Sequence, residues 1–110
     1  MLTRTFKQIL ADLEPIDELD SLELFQEGEL VGNIPNQEGK RGSLAVYAHL
    51  VGHEDGIIDA EKALYGLMLF SEHTPDAQKT PGKHPNVDRL LRILDGDYDI
   101  EVRVKYKQAA

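Results

Sequence analysis

Residues 98–106 read Tyr-Asp-Ile-Glu-Val-Arg-Val-Lys-Tyr. Tyr98, Ile100, Val102, Val104 and Tyr106 alternate with Asp99, Glu101, Arg103 and Lys105, and a period of two with β-branched residues at the centre is the repeat of an extended chain. The pattern predicts a strand with one covered face and one face turned to water or a partner. Its partners lie far upstream. Leu19 to Phe25 places Leu22 and Leu24 on one face and Ser21, Glu23 and Phe25 on the other, Glu27-Gly28-Glu29 supplies a turn, and Leu30 to Ile34 resumes the extended pattern. Gly32 within that second strand suggests a bulge, and Pro35 ends it by removing a ladder donor. A hairpin plus one distant strand makes about three strands, too few to stand without helices packed on them.

The helices are read from apolar spacing. Phe6, Ile9, Leu10 and Leu13 predict a first helix between Thr5 and Glu14, stopped by Pro15. Ser43 is expected to cap a second, carrying Leu44, Tyr47, Leu50 and Val51 and failing at Gly52. After the turn Glu54-Asp55-Gly56 and the short apolar pair Ile57-Ile58, Asp59 caps a third helix from Ala60 to about Ser71. Ala63, Leu64, Leu67, Met68, Leu69 and Phe70 surround this helix, which predicts the central buried one. Gly66 in its middle costs about 1 kcal/mol relative to alanine and therefore predicts close approach of another segment. Thr74 to Pro85 has no apolar period and reads as a long loop. Val87, Leu90, Leu91 and Leu94 then form the stripe of a fourth helix, ended by Asp95-Gly96-Asp97. The expected fold is α+β, a small antiparallel sheet of about three strands packed against about four helices in the order α-β-β-α-α-α-β, with residues 105–110 as a frayed tail.

From Asp12 to Glu29 the chain carries eight acids and no base. Pairing of Glu23 or Glu29 with Arg103, Lys105 or Lys107 would add a few tenths of a kcal/mol per pair and favours docking of the last strand against the hairpin. The whole chain has 110 residues, a length that fits one domain, and a formal net charge of −8. With 41% hydrophobic residues it is expected to collapse rather than remain disordered. No apolar run approaches the roughly 20 residues of a membrane span, and Met1-Leu2-Thr3-Arg4 is followed by no signal-peptide core, so the expected compartment is the cytoplasm, with no membrane partner. The absence of cysteine excludes disulfides, thiolate metal sites and a cysteine nucleophile. The negative charge repels phosphate backbones, so no nucleic-acid partner is expected.

Three constellations carry candidate chemistry. His49 and His53, at i and i+4, have the spacing of two metal ligands, but Leu50 stands where a zinc peptidase helix has its glutamate. Two surface histidines are the preferred reading, and neither a metal nor another cofactor is expected. Gly39-Lys40-Arg41-Gly42-Ser43 runs into a helix N-terminus, where free N–H groups favour an anion and Lys40 and Arg41 add charge. No P-loop is present, because that order of residues requires a preceding strand and a different glycine spacing. The segment from His73 to Arg89 gathers His73, Asp76, Lys79, Lys83, His84, Asn86, Asp88 and Arg89. Lys83, Asn86 and Arg89 are candidates to hold an anion, and His73 and His84 to move a proton near neutral pH. The competing reading of the same residues is helix capping within an ordered loop.

In Gly39-Lys40-Arg41-Gly42-Ser43-Leu44-Ala45-Val46-Tyr47, Glu72-His73-Thr74-Pro75-Asp76-Ala77 and Pro81-Gly82-Lys83-His84-Pro85-Asn86-Val87-Asp88-Arg89-Leu90, the chain resembles a family of small bacterial proteins classed as a domain of unknown function (number 2322). The resemblance spans nearly the whole chain. It implies a bacterial cytosolic domain and no particular activity, and its distinctive segments coincide with the two loops singled out above.

Two functional classes follow. The one preferred from the sequence is a small binding or adaptor module acting through protein contacts, a homodimer through an exposed strand edge included. The other is a small-molecule anion site, or an enzyme, in which Lys40, Arg41, Ser43, Lys83, His84, Asn86 and Arg89 bind the ligand. That second class requires the two loops to meet.

Overall fold

The computed structural model describes residues 4–96 and 98–108. The elements run α1 (Phe6–Asp12), β1 (Leu19–Gln26), β2 (Glu29–Pro35), α2 (Arg41–Leu50), β3 (Gly56–Ile58), α3 (Ala60–Leu69), α4 (His73–Lys79), α5 (Pro85–Leu94) and β4 (Ile100–Tyr106). The architecture is α+β, with four strands in the antiparallel order β2-β1-β4-β3 and five helices. The expected order therefore gains one strand and one helix. Both insertions are short: β3 is three residues paired with β4, and α4 is seven.

The hairpin forms as read. Glu27 and Gly28 both take positive φ, 50° and 84°, as in a two-residue turn whose twist matches that of the strands it joins. The register passes from Leu24↔Gly32 to Phe25↔Leu30, leaving Val31 unpaired in a bulge beside the glycine. β4 docks on β1, with Glu23 opposite Arg103 and Lys105 Nζ 3.4 Å from Glu23 Oε1. The frayed tail expected from residue 105 is corrected: Lys105 and Tyr106 pair with β1, and Lys107 N–H donates to Glu18 at 2.9 Å. Asp97, assigned above to the end of a helix, and residues 109–110 of the expected tail lie outside the described residues, as do Met1 to Thr3.

One sheet face, with Leu22, Leu24, Ile34, Ile58, Ile100 and Val102, is buried against the helices. The other carries Glu23, Phe25, Glu101 and Arg103, and the Arg103 guanidinium lies 4.2 Å from the Phe25 ring centroid. The central helix is α2 rather than α3, because Leu44, Ala45, Val46, Tyr47, Ala48 and Leu50 are all buried. On α3 only Ala63, Gly66 and Leu67 are buried, whereas Leu64, Tyr65 and Met68 are 46–63% exposed. The approach predicted at Gly66 is present: a Cβ there would stand 2.7 Å from Leu90 Cδ1 and 2.9 Å from Leu50 Cδ1.

Ser43 does not cap α2. The helix begins three residues earlier, with Lys40 at the N-cap and Ser43 inside the first turn. The expected cap at Asp59 is observed, accepting from Lys62 N–H, and Thr5 caps α1 by accepting from Gln8 N–H. Among the described residues no helix is long and apolar enough to cross a membrane.

Candidate functional site

Two anchors, the partly buried Asn36 and the buried Tyr47, position the chosen loops. Asn36 ties the entry to α2 onto the start of β1: its Nδ2 donates to the Ile16 and Leu19 carbonyls at 3.0 and 2.7 Å, and its Oδ1 accepts from Arg41 Nε at 3.1 Å. Tyr47, fully buried on α2, donates its hydroxyl to the Asn86 carbonyl at 2.6 Å and accepts from Arg89 Nη1 at 3.3 Å. Burial pushes its phenol up to about 12, with Arg89 opposing the shift, so the hydroxyl keeps the proton it donates. Tyr47, in the second turn of α2, thereby holds the start of α5, and the first turns of the two helices line one recess. Sequence reading assigned Tyr47 only to an apolar face, and nothing in its spacing reveals this second role.

Between these turns lies a half-open cleft of about 700 Å³. Lys40, Arg41, Ser43, His73, Lys83, His84, Asn86 and Arg89 all line it, so every ligand-binding and catalytic candidate named from the sequence meets in one place. Also lining it are Phe6 and Leu10 of α1, Gly32 of β2, Gly42 of α2 and Phe70. Phe6, Leu10 and Phe70 read as apolar helix faces and Gly32 as a bulge, because apolar residues at helical spacing predict burial and do not say against what; Gly42 belongs to the segment already marked for an anion. The two glycines give their neighbours room: a Cβ on Gly32 would stand 2.9 Å from Arg89 Nη2, and one on Gly42 2.9 Å from Phe6 Cε2.

The cations differ in what already answers them. Asp76 accepts from His84 Nε2 at 2.8 Å and from Lys83 Nζ at 3.0 Å, so Lys83 and His84 are engaged within the protein. Lys40, Arg41 and Arg89 pair with no carboxylate among the described residues; Arg89 is held by Tyr47 and, at 2.7 Å, by Asn86 Oδ1. Neither Lys40 nor His84 turns its side chain back to cap its helix. The N–H groups of Arg41, Gly42 and Ser43, and that of Asn86, bond to no group among the described residues and remain for water or a ligand. The capping expected of the long loop is seen in two contacts, Gly82 N–H to Asp88 Oδ2 at 2.9 Å and the Thr74 hydroxyl to the Leu67 carbonyl at 2.6 Å.

His49 and His53 stand apart from this cleft. His49 Nδ1 is 2.7 Å from Glu14 Oε1 and Nε2 3.1 Å from the Tyr65 hydroxyl, while His53 lies beyond the end of α2 with φ 62°. No cluster of three metal-ligand side chains occurs among the described residues.

The His84 hydrogen bond and then the Lys83 one hold the Asp76 carboxyl below its ordinary 3.8. Glu72 is lowered chiefly by the Phe6 N–H it accepts at 2.8 Å. A carboxyl whose folded value is depressed stabilises the fold above its unfolded value and ceases to do so as pH falls through the folded one. Asp76→Asn is therefore expected to lower Tm at about pH 6, and the gap from wild type to be narrower at about pH 3. Thermal melts at the two pH values check this; a gap that persists unchanged in acid would show that Asp76 acts through packing instead.

The fold and the cleft define an α+β protein with a basic, partly aromatic recess in an otherwise acidic chain. By sequence the chain belongs to the family described as "Uncharacterized protein conserved in bacteria" (DUF2322), which matches residues 6–104. No curated protein and no solved structure matches it.

Proposed function

We propose that the protein binds a small anionic molecule in the cleft between the first turns of α2 and α5. The observation that supports this reading is the meeting of Lys40, Arg41 and Arg89, cations without a carboxylate partner among the described residues, in one recess of a chain whose net charge is −8. An acidic protein gains nothing in stability from gathering like charges. An anion relieves that repulsion and takes up the free N–H groups of α2, whose dipole favours negative charge. Binding is the reading; His73 and His84 stand in the cleft as the groups able to move a proton, and no reaction is assigned to them.

Lys40 and Arg41 are exposed and outside the core, and without Arg41 the anchor Asn36 keeps both of its Nδ2 bonds, so Lys40→Ala/Arg41→Ala tests the reading with the fold retained. Calorimetric titration with inorganic phosphate at low salt is expected to give saturable heat with wild type and about tenfold weaker binding in the double variant, as for the loss of one charge-assisted hydrogen bond. A wild type that gives no saturable heat with phosphate, sulfate or small carboxylates would end this reading. It would leave the adaptor reading, which draws on the exposed Leu64, Tyr65 and Met68 of α3, none of which lines the cleft.

A further inference from the structure

The cleft has a second chemical character that a bare anion leaves unused. Four of its lining side chains form a continuous row of rings. Phe70 stacks on Phe6 with centroids 5.3 Å apart and planes at 21°, Phe6 meets His73 edge-on at 4.8 Å, and His73 meets His84 at 4.9 Å. Leu10 adjoins them in the lining. Phe6 is only partly buried although it belongs to a helix with no buried residue of its own. It is held in place by polar means, through the Thr5–Gln8 capping box and the Glu72 carboxylate that accepts its N–H. Gly42 joins the two characters. The missing Cβ would lie 2.9 Å from Phe6 Cε2 and 3.0 Å from Cζ, so the turn offering the free N–H groups touches the Phe6 ring directly.

We infer that the ligand is an anion bearing a flat ring, an aryl phosphate or aryl carboxylate in chemical class, with its charged group on Arg41, Arg89 and Lys40 and its ring on Phe6 and Leu10. The inference rests on the anion reading above and narrows it. Aromatic pairs at centroid distances such as those already in the row gain contact energy beyond the area they cover, and the ring displaces water from the part of Phe6 that lines the cleft and is not buried.

Phenyl phosphate and inorganic phosphate carry the same kind of head and differ by the ring. Titrated calorimetrically into the full chain at one pH and salt, phenyl phosphate is expected to bind about tenfold tighter, equivalent to about 1.4 kcal/mol. In Phe6→Ala that advantage is expected to vanish while the affinity for inorganic phosphate is retained, and retained phosphate binding itself reports that the variant is folded. Equal affinities of wild type for the two compounds would overturn the inference and leave the anion reading intact, independently of any variant. An advantage that survives in Phe6→Ala would also overturn it, since the ring would then lie elsewhere. Failure of both compounds to bind would overturn the anion reading together with the inference.

Discussion

Gly66→Val is expected to lower the unfolding free energy by about 3 kcal/mol, the upper end of what inserting carbon atoms into a packed core costs. The position is buried in the middle of α3, and even the first added carbon would stand 2.7 Å from Leu90 Cδ1 and 2.9 Å from Leu50 Cδ1. Both leucines are themselves buried, with Leu90 wholly enclosed, so neither can swing away without displacing a third residue. Two effects oppose each other in the milder Gly66→Ala: the helix gains about 1 kcal/mol of propensity and loses a comparable amount to the collision. Coupling to Leu90 separates them. Leu90→Ala alone opens a cavity and costs about 3 kcal/mol, whereas with Gly66→Ala the added methyl enters the vacated space, so the pair costs less than the sum. Urea melts of the four proteins test the cycle. Strict additivity would mean that the α3–α5 contact at Gly66 is looser than its geometry indicates.

Arg89→Met is expected to weaken binding of inorganic phosphate roughly thirtyfold, about 2 kcal/mol, the scale of a hydrogen bond to a charged group. Methionine keeps much of the apolar stem and removes the guanidinium. Arg89 is the cation that the protein orients most firmly, between the Tyr47 hydroxyl, Asn86 Oδ1 and the space left by Gly32, so little side-chain freedom is lost when it meets an anion. Part of the effect passes through Tyr47, which loses one of its two partners and keeps the Asn86 carbonyl. A melting temperature within a few degrees of wild type, combined with the drop in affinity, distinguishes a ligand contact from a structural prop. Unchanged phosphate affinity would remove Arg89 from the site.

Both predictions depend on contacts that differ in how far they are written along the chain. The β4 strand is visible in residues 98–106 because one face of the sheet is covered and the other is not, which forces alternation, although Tyr98 itself falls outside the strand and instead accepts from Arg92 Nε. Gly66 is visible because a glycine inside a helix needs a reason. By contrast, α3 looks buried on every side, yet Leu64 and Met68 face outward. Hydrophobicity records what a side chain prefers and carries no record of whether a neighbour arrives to cover it. The helix α4 leaves no trace in apolar spacing because only Ala77 is buried in it. Thr74, whose hydroxyl donates to the Leu67 carbonyl at 2.6 Å, and Asp76, bound to His84 and Lys83, tie it to the rest of the chain. β3 is three residues long, shorter than any period that could announce it.

The site divides in the same way. Residue type and order along the chain are enough to name Lys40, Arg41, Ser43, Lys83, His84, Asn86 and Arg89 as candidates for an anion, beside the preferred adaptor reading, because charge and free helix N–H groups are properties of short segments. Their convergence belongs to the tertiary structure alone. It is made by Asn36 and Tyr47, which join positions far apart in the chain through hydrogen bonds that no local pattern encodes. The division of labour among the cations arises there too: Asp76 engages Lys83, while Arg89 is held by neutral partners only. The ring-lined wall is likewise a product of folding, since Phe6 and Phe70 meet only when the first residue of α1 reaches the C-terminal cap of α3. Short-range chemistry determined which groups this protein carries, and long-range packing decided which of them face each other, because contact energy between distant segments exists only after the loop between them has closed.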